Sequence, residues 1–182
     1  SAGLYDRAEV MFNRLLKSKS YGLKSLTYLM QIYQSTKDWQ QGLALQKAII
    51  KTRDKKLLHI LANFYCELAT QALEKDDFIE VIELLENALI QDPNSCRANW
   101  LMAQIYENHQ QYEEACRCYQ DIYQQDKEFF PDVIEKMRTC YKHLGAEEDF
   151  YKFIRKVYEE TASTSALIEY LIYLESKHGV AR

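Results

Sequence analysis

Apolar side chains along this chain recur at steps of three and four residues. Near the start they fall at Tyr5, Ala8, Phe12 and Leu15, in the middle at Met102, Ala103 and Tyr106, and near the end at Leu167, Ile168, Leu171 and Ile172. Such spacing places each group on one face of an α-helix. It predicts helices over 4–18, 22–35, 38–53, 55–74, 77–91, 94–109, 111–125, 131–144, 146–160 and 164–177. Asp38, Asp76, Asn94 and the run Ser163–Ser165 precede helices as capping residues, and Gly145 follows one as a left-handed C-terminal cap.

The helices also repeat. After Asn99-Trp-Leu-Met-Ala-Gln-Ile-Tyr106 come Gln111-Tyr-Glu-Glu-Ala115, Tyr119 and Ile122, an order of large and small residues that resembles the tetratricopeptide repeat. Aromatic residues recur at Tyr5, Trp39, Phe78 and Tyr112, spaced by 34, 39 and 34 residues, with Ala8, Gly42, Val81 and Ala115 three positions further on. Tyr33, Ala72, Tyr106 and Tyr141 share one site on the first helix of each pair. The spacing of 39 implies an added turn near Lys55–Ile60. A fifth copy, Pro131 to Glu159, is looser, with Arg138 where a small residue is expected. The expected fold is all-α: a right-handed superhelical solenoid of about five helical hairpins. It reads as a single array over 1–182, with a half repeat over 1–20, repeats over about 22–54, 55–93, 94–127 and 131–160, and a half repeat over 163–178. The unpaired apolar faces of the first and last helices suggest truncation at both ends, with self-association through them.

Composition narrows the function. The net charge of −4 argues against a phosphate backbone as partner. No apolar run reaches the ~18 residues of a membrane-spanning helix. Five cysteines without paired CxxC spacing fit reduced thiols better than a disulfide framework or zinc knuckle. Cys140 and His143 share a helix face but have no third partner for catalysis or metal binding, while Cys116 and Cys118 point in different directions. The acidic runs 74–77 and 147–149 fit solvated helix starts. Phosphate-loop, HExxH and GxSxG motifs do not occur. The chain is expected to be neither an enzyme nor a holder of cofactor or metal.

In a tetratricopeptide array the first helix of each pair lines a concave groove. Helical counting gives Lys24, Thr27 and Gln31, then Asn63, Cys66 and Thr70, then Arg97, Trp100, Gln104 and Glu107, and last Glu135, Thr139 and Lys142. Trp100 lies beside the core stripe of Asn99, Met102, Ala103 and Tyr106. Two readings stand for it: a binding anchor together with Arg97, or packing against an adjacent hairpin. The lysine and asparagine cluster that clamps a C-terminal carboxylate in some such grooves is missing at Thr27, Cys66, Trp100 and Glu135.

Three strings are more specific than the repeat. Ala2-Gly-Leu-Tyr-Asp-Arg-Ala-Glu9, Asn63-Phe-Tyr-Cys-Glu-Leu-Ala69 and Thr139-Cys-Tyr-Lys-His-Leu-Gly145 closely resemble the lipopolysaccharide assembly protein B family of Gram-negative bacteria. The resemblance implies an adaptor on the cytoplasmic face of the inner membrane that helps the FtsH protease degrade the LpxC deacetylase. It also implies an N-terminal membrane anchor and a C-terminal rubredoxin-like metal domain, neither carried by these residues. The alternative is a generic repeat scaffold in another envelope assembly complex.

Overall fold

A computed structural model of the protein describes residues 2–178, and all regular structure among them is helical. The chain divides into two compact units, one up to Ala98 and one from Asn99.

The first unit holds α1 (Ala2–Leu15), α2 (Gly22–Thr36), α3 (Trp39–Ala44), α4 (Gln46–Thr52), α5 (Lys55–Leu73) and α6 (Phe78–Gln91). Consecutive helices pair across short turns, α1 with α2 and α5 with α6. At 19 residues α5 is the longest helix described, and it holds the added turn anticipated near Lys55. Its buried residues Leu57, Leu61, Phe64, Leu68 and Ala72 recur at three- and four-residue steps. Each large apolar side chain buried this way contributes about 1.5–3 kcal/mol. Tyr33 is also buried, and its hydroxyl donates to Glu9 Oε1 at 2.8 Å, fastening α2 to α1.

The second unit contains α7 (Cys96–Asn108) from Asn99 onward, α8 (Tyr112–Gln125), a single 3-10 turn (Phe130–Asp132), α9 (Ile134–His143), α10 (Glu147–Thr161) and α11 (Thr164–His178). Its core gathers Tyr119, Ile122, Tyr123, Phe130, Met137, Phe150 and Ile154, all at most 1% exposed. Tyr123, Phe130 and Phe153 meet edge to face, with ring centres 5.0 to 5.9 Å apart. That geometry suits aromatic quadrupoles.

Several expected boundaries move. The helix expected over 38–53 is two pieces meeting at Leu45, whose N–H turns back to the Gly42 carbonyl at 3.1 Å, a tighter step than the α-helix makes. The helix expected over 4–18 ends at Leu15, with the Ser18 N–H closing a turn on the Leu15 carbonyl at 2.9 Å. The helix expected over 131–144 opens as the 3-10 turn containing Pro131, which has no N–H to offer an α-helical ladder.

The caps differ too. Asp38 caps α3 as anticipated, but Asp77 caps α6, while Asp76 takes a left-handed φ of 56°. Ser95, rather than Asn94, accepts from the Ala98 N–H at 3.3 Å. Asp54 caps α5 by accepting from the Lys56 and Leu57 N–H groups at 2.9 and 3.3 Å. Gly145 is left-handed, φ 64°, as its place after α9 required.

Candidate partner-binding groove

A cavity of about 460 Å³ opens in the second unit between α7, the start of α8 and α9. Trp100, Glu107 and Asn108 enter it from α7, and Tyr112 from α8. Asp132, Glu135, Lys136, Thr139 and His143 enter it from the 3-10 turn and α9. Steps of three and four residues from 132 to 143 keep this second group on one helical face.

Trp100 packs against neighbouring aromatic rings, as one of its two readings expected, and also borders the cavity. Its ring lies 6.0 Å from those of Tyr119 and Phe129, at angles of 62° and 72°. Glu107 forms the polar floor, its side chain 16% exposed. It accepts from the Cys140 thiol at 3.1 Å, and the Lys136 ammonium lies 3.6 Å from its other oxygen. Tyr112 and His143 stack nearly parallel, 4.4 Å apart. Asp132 and Glu135 are exposed and make no ion pair among the described residues.

Three of the buried thiols, Cys66, Cys118 and Cys140, are held in the protonated form. Cys140 is held far above the usual thiol range, first by hydrogen bonding with Cys116, then by burial and the Glu107 carboxylate. Burial pushes Cys66 up to about 11 and Cys118 up to about 12. A protonated buried thiol is a poor nucleophile and a poor metal ligand. Cys140 turns inward to Glu107 while His143 turns to Tyr112, so these two engage different partners. Among the described residues no group of three or more His, Cys, Asp or Glu side chains is arranged to hold a metal ion. Nor is any helix among them long and apolar enough to cross a membrane.

The structure brings together Trp100, Glu107, Glu135 and Thr139 of the residues singled out by helical counting. Gln104 and Lys142 do not line this cavity. Arg97 belongs to the first unit and bonds Glu67 Oε1 at 2.7 Å. There too, Gln31 lines an apolar cavity of about 300 Å³ with Tyr5, Phe12 and Tyr28, while Thr27 bonds the Leu23 carbonyl at 3.1 Å. Lys24 is exposed, Asn63 is half-buried, and Thr70 bonds the Cys66 carbonyl at 2.9 Å. Cys66, counted as groove-facing, is fully buried in the core. Sequence counting missed Asn108, Tyr112, Asp132, Lys136 and His143. His143 was within reach of it, since Glu135, Thr139 and His143 are steps of four.

No family model matches the chain. It is 33% identical over 180 residues to lipopolysaccharide assembly protein B of Escherichia coli K12, a match covering 98% of this chain and 46% of the relative. The Haemophilus influenzae protein of the same name is 27% identical over 152 residues, 84% of this chain and 38% of that protein. The chain therefore spans about half the length, or less, of the curated relatives it matches. Among solved structures, one of MamA aligns over 100% of this chain and 90% of that one, with a TM-score of 0.50 and 16% identity. A second MamA structure covers 87% of this chain and 89% of that one at a TM-score of 0.50 and 18% identity. At such identities the likeness speaks to fold alone, and that fold is the tetratricopeptide type of paired helices.

Proposed function

Because the chain belongs to the lipopolysaccharide assembly protein B family, we propose that it is the docking section of a non-catalytic adaptor that regulates lipopolysaccharide biosynthesis. Its partners are proteins: the LpxC deacetylase and the FtsH protease, brought together at the cytoplasmic face of the inner membrane. The observation that carries this reading is the open Trp100 groove, with polar walls, an aromatic surface and no reactive thiol. Such a surface suits recognition of a side chain on another protein better than chemistry on a small molecule. Adaptor action then needs only proximity, since holding a substrate beside a protease raises its effective concentration there.

The test uses the full-length protein in its own cells. Affinity capture should recover LpxC and FtsH, and Trp100→Ala should reduce that recovery. Deleting the protein should lengthen the lifetime of LpxC. An unchanged lifetime, with neither partner captured, would overturn the proposal.

A further inference from the structure

We infer that the Trp100 groove selects a basic side chain, arginine or lysine, on an extended segment of a partner protein. An apolar side chain of the same segment sits in the adjoining depression. The inference rests on the docking role proposed above and specifies what is docked.

Charge is the first reason. Three carboxylates, Glu107, Asp132 and Glu135, line the cavity against one lysine. That lysine, Lys136, is drawn to Glu107 at 3.6 Å, so one carboxylate is already answered. Asp132 and Glu135 remain exposed at the rim, and an incoming cation is attracted where an anion is repelled. His143 lies flat against Tyr112.

The indole is the second reason. Trp100 is half-buried and lines the open cavity, so part of the indole is accessible from it. A guanidinium or ammonium is attracted to a tryptophan face, most strongly where water is partly excluded. The two features therefore favour the same ligand group.

Continuity is the third. Glu135 also lines a second depression of about 300 Å³, with Pro131, Ile134 and Ile168 on its walls. Ile168 is 51% exposed, so this depression offers apolar surface to solvent. A segment passing Glu135 places one side chain against Trp100 and another against Ile134 and Ile168.

A display library of random peptides, about 12 residues long, selected against the full-length protein tests the inference. Recovered peptides should carry arginine or lysine near an apolar residue. Replacing that arginine by citrulline, its uncharged isostere, should weaken binding about tenfold, as should Trp100→Ala and the pair Asp132→Lys with Glu135→Lys. Thermal melts confirm that each variant is folded, and Trp100→Phe should retain part of the binding. Recovery of acidic or uncharged peptides, or of none sensitive to Asp132 and Glu135, would overturn the inference. If the charge-reversed protein still captures LpxC and FtsH in a Trp100-dependent manner, the basic side chain is refuted while the adaptor role stands. If the peptides behave as expected but LpxC lifetime is unchanged in cells, the adaptor role fails and the groove chemistry stands.

Discussion

Gly42→Ala sets two effects of opposite sign against each other within α3. In an ordinary helix interior the change stabilises by about 1 kcal/mol, because glycine has the larger backbone entropy to lose. At position 42, however, an added Cβ would fall on the ring of Phe64. Phe64 is 1% exposed and packs edge-on against Trp39 with ring centres 5.1 Å apart, so it has no free direction in which to move. Overpacking of this kind costs about 1–3 kcal/mol, and more where backbone must shift. Since the overlap involves ring atoms in the middle of a packed core, the upper part of that range applies, leaving a net loss of about 2 kcal/mol after the propensity gain. For a unit of this size the midpoint should fall by about 8–16 °C. Thermal unfolding followed by far-UV circular dichroism measures it. Gly42→Ala combined with Phe64→Leu should lose less than the sum of the single changes, because the two positions share the contact. A midpoint equal to or above that of the unaltered protein would refute the packing of α3 on α5 described here.

Further outcomes follow from other contacts. Asp54→Ala removes the cap of α5 and should cost about 1 kcal/mol in urea unfolding, whereas no loss would mean that water serves those N–H groups equally well. Ala162→Gly should stabilise by up to about 1 kcal/mol, because Ala162 is exposed and left-handed at φ 52°; a lower midpoint would contradict that conformation. Tyr33 and Tyr123 are pushed up to about 12 by burial, with the carboxylates of Glu9 and Glu160 adding to it. The fold thus favours their neutral phenols, a stabilisation complete below about pH 10 and lost as pH rises through about 12. An alkaline titration should therefore show a late set of phenolates appearing together with loss of helix, and full ionisation of the tyrosines with helix intact would count against it. In native protein a thiol reagent should label half-exposed Cys96 well before buried Cys66, Cys116, Cys118 and Cys140, and simultaneous labelling of all five would contradict the core placement.

Much of this was legible in the sequence, for a local reason. Apolar steps such as Leu57, Leu61, Phe64 and Leu68 record which helical face is buried, and no distant contact is needed to read them. The break at Leu45 was not legible, because it accompanies the approach of Gly42 to Phe64 on another helix. Cap positions moved by one residue at Asp77 and Ser95 because adjacent polar residues offer the same chemistry, and only the backbone turn chooses between them. In the groove, Trp100 stood out because it lies off the core stripe. Asp132 and Lys136 were missed because their role depends on the 3-10 turn that sets where α9 begins. Lys142 was counted into the groove by a three-residue step, whereas the cavity receives His143 at the four-residue step from Thr139.

The proposed adaptor role requires a protein partner to dock on the α7–α9 face. Its most direct test is a photocrosslinking amino acid placed at Thr139, inside the groove, and separately at Arg117, exposed on α8 and not lining the cavity. In cells carrying the full-length protein, the Thr139 position should form an adduct with a lipopolysaccharide biosynthesis protein, lost on Trp100→Ala, while Arg117 should not. Equal adducts at both positions, or at Arg117 alone, would contradict it.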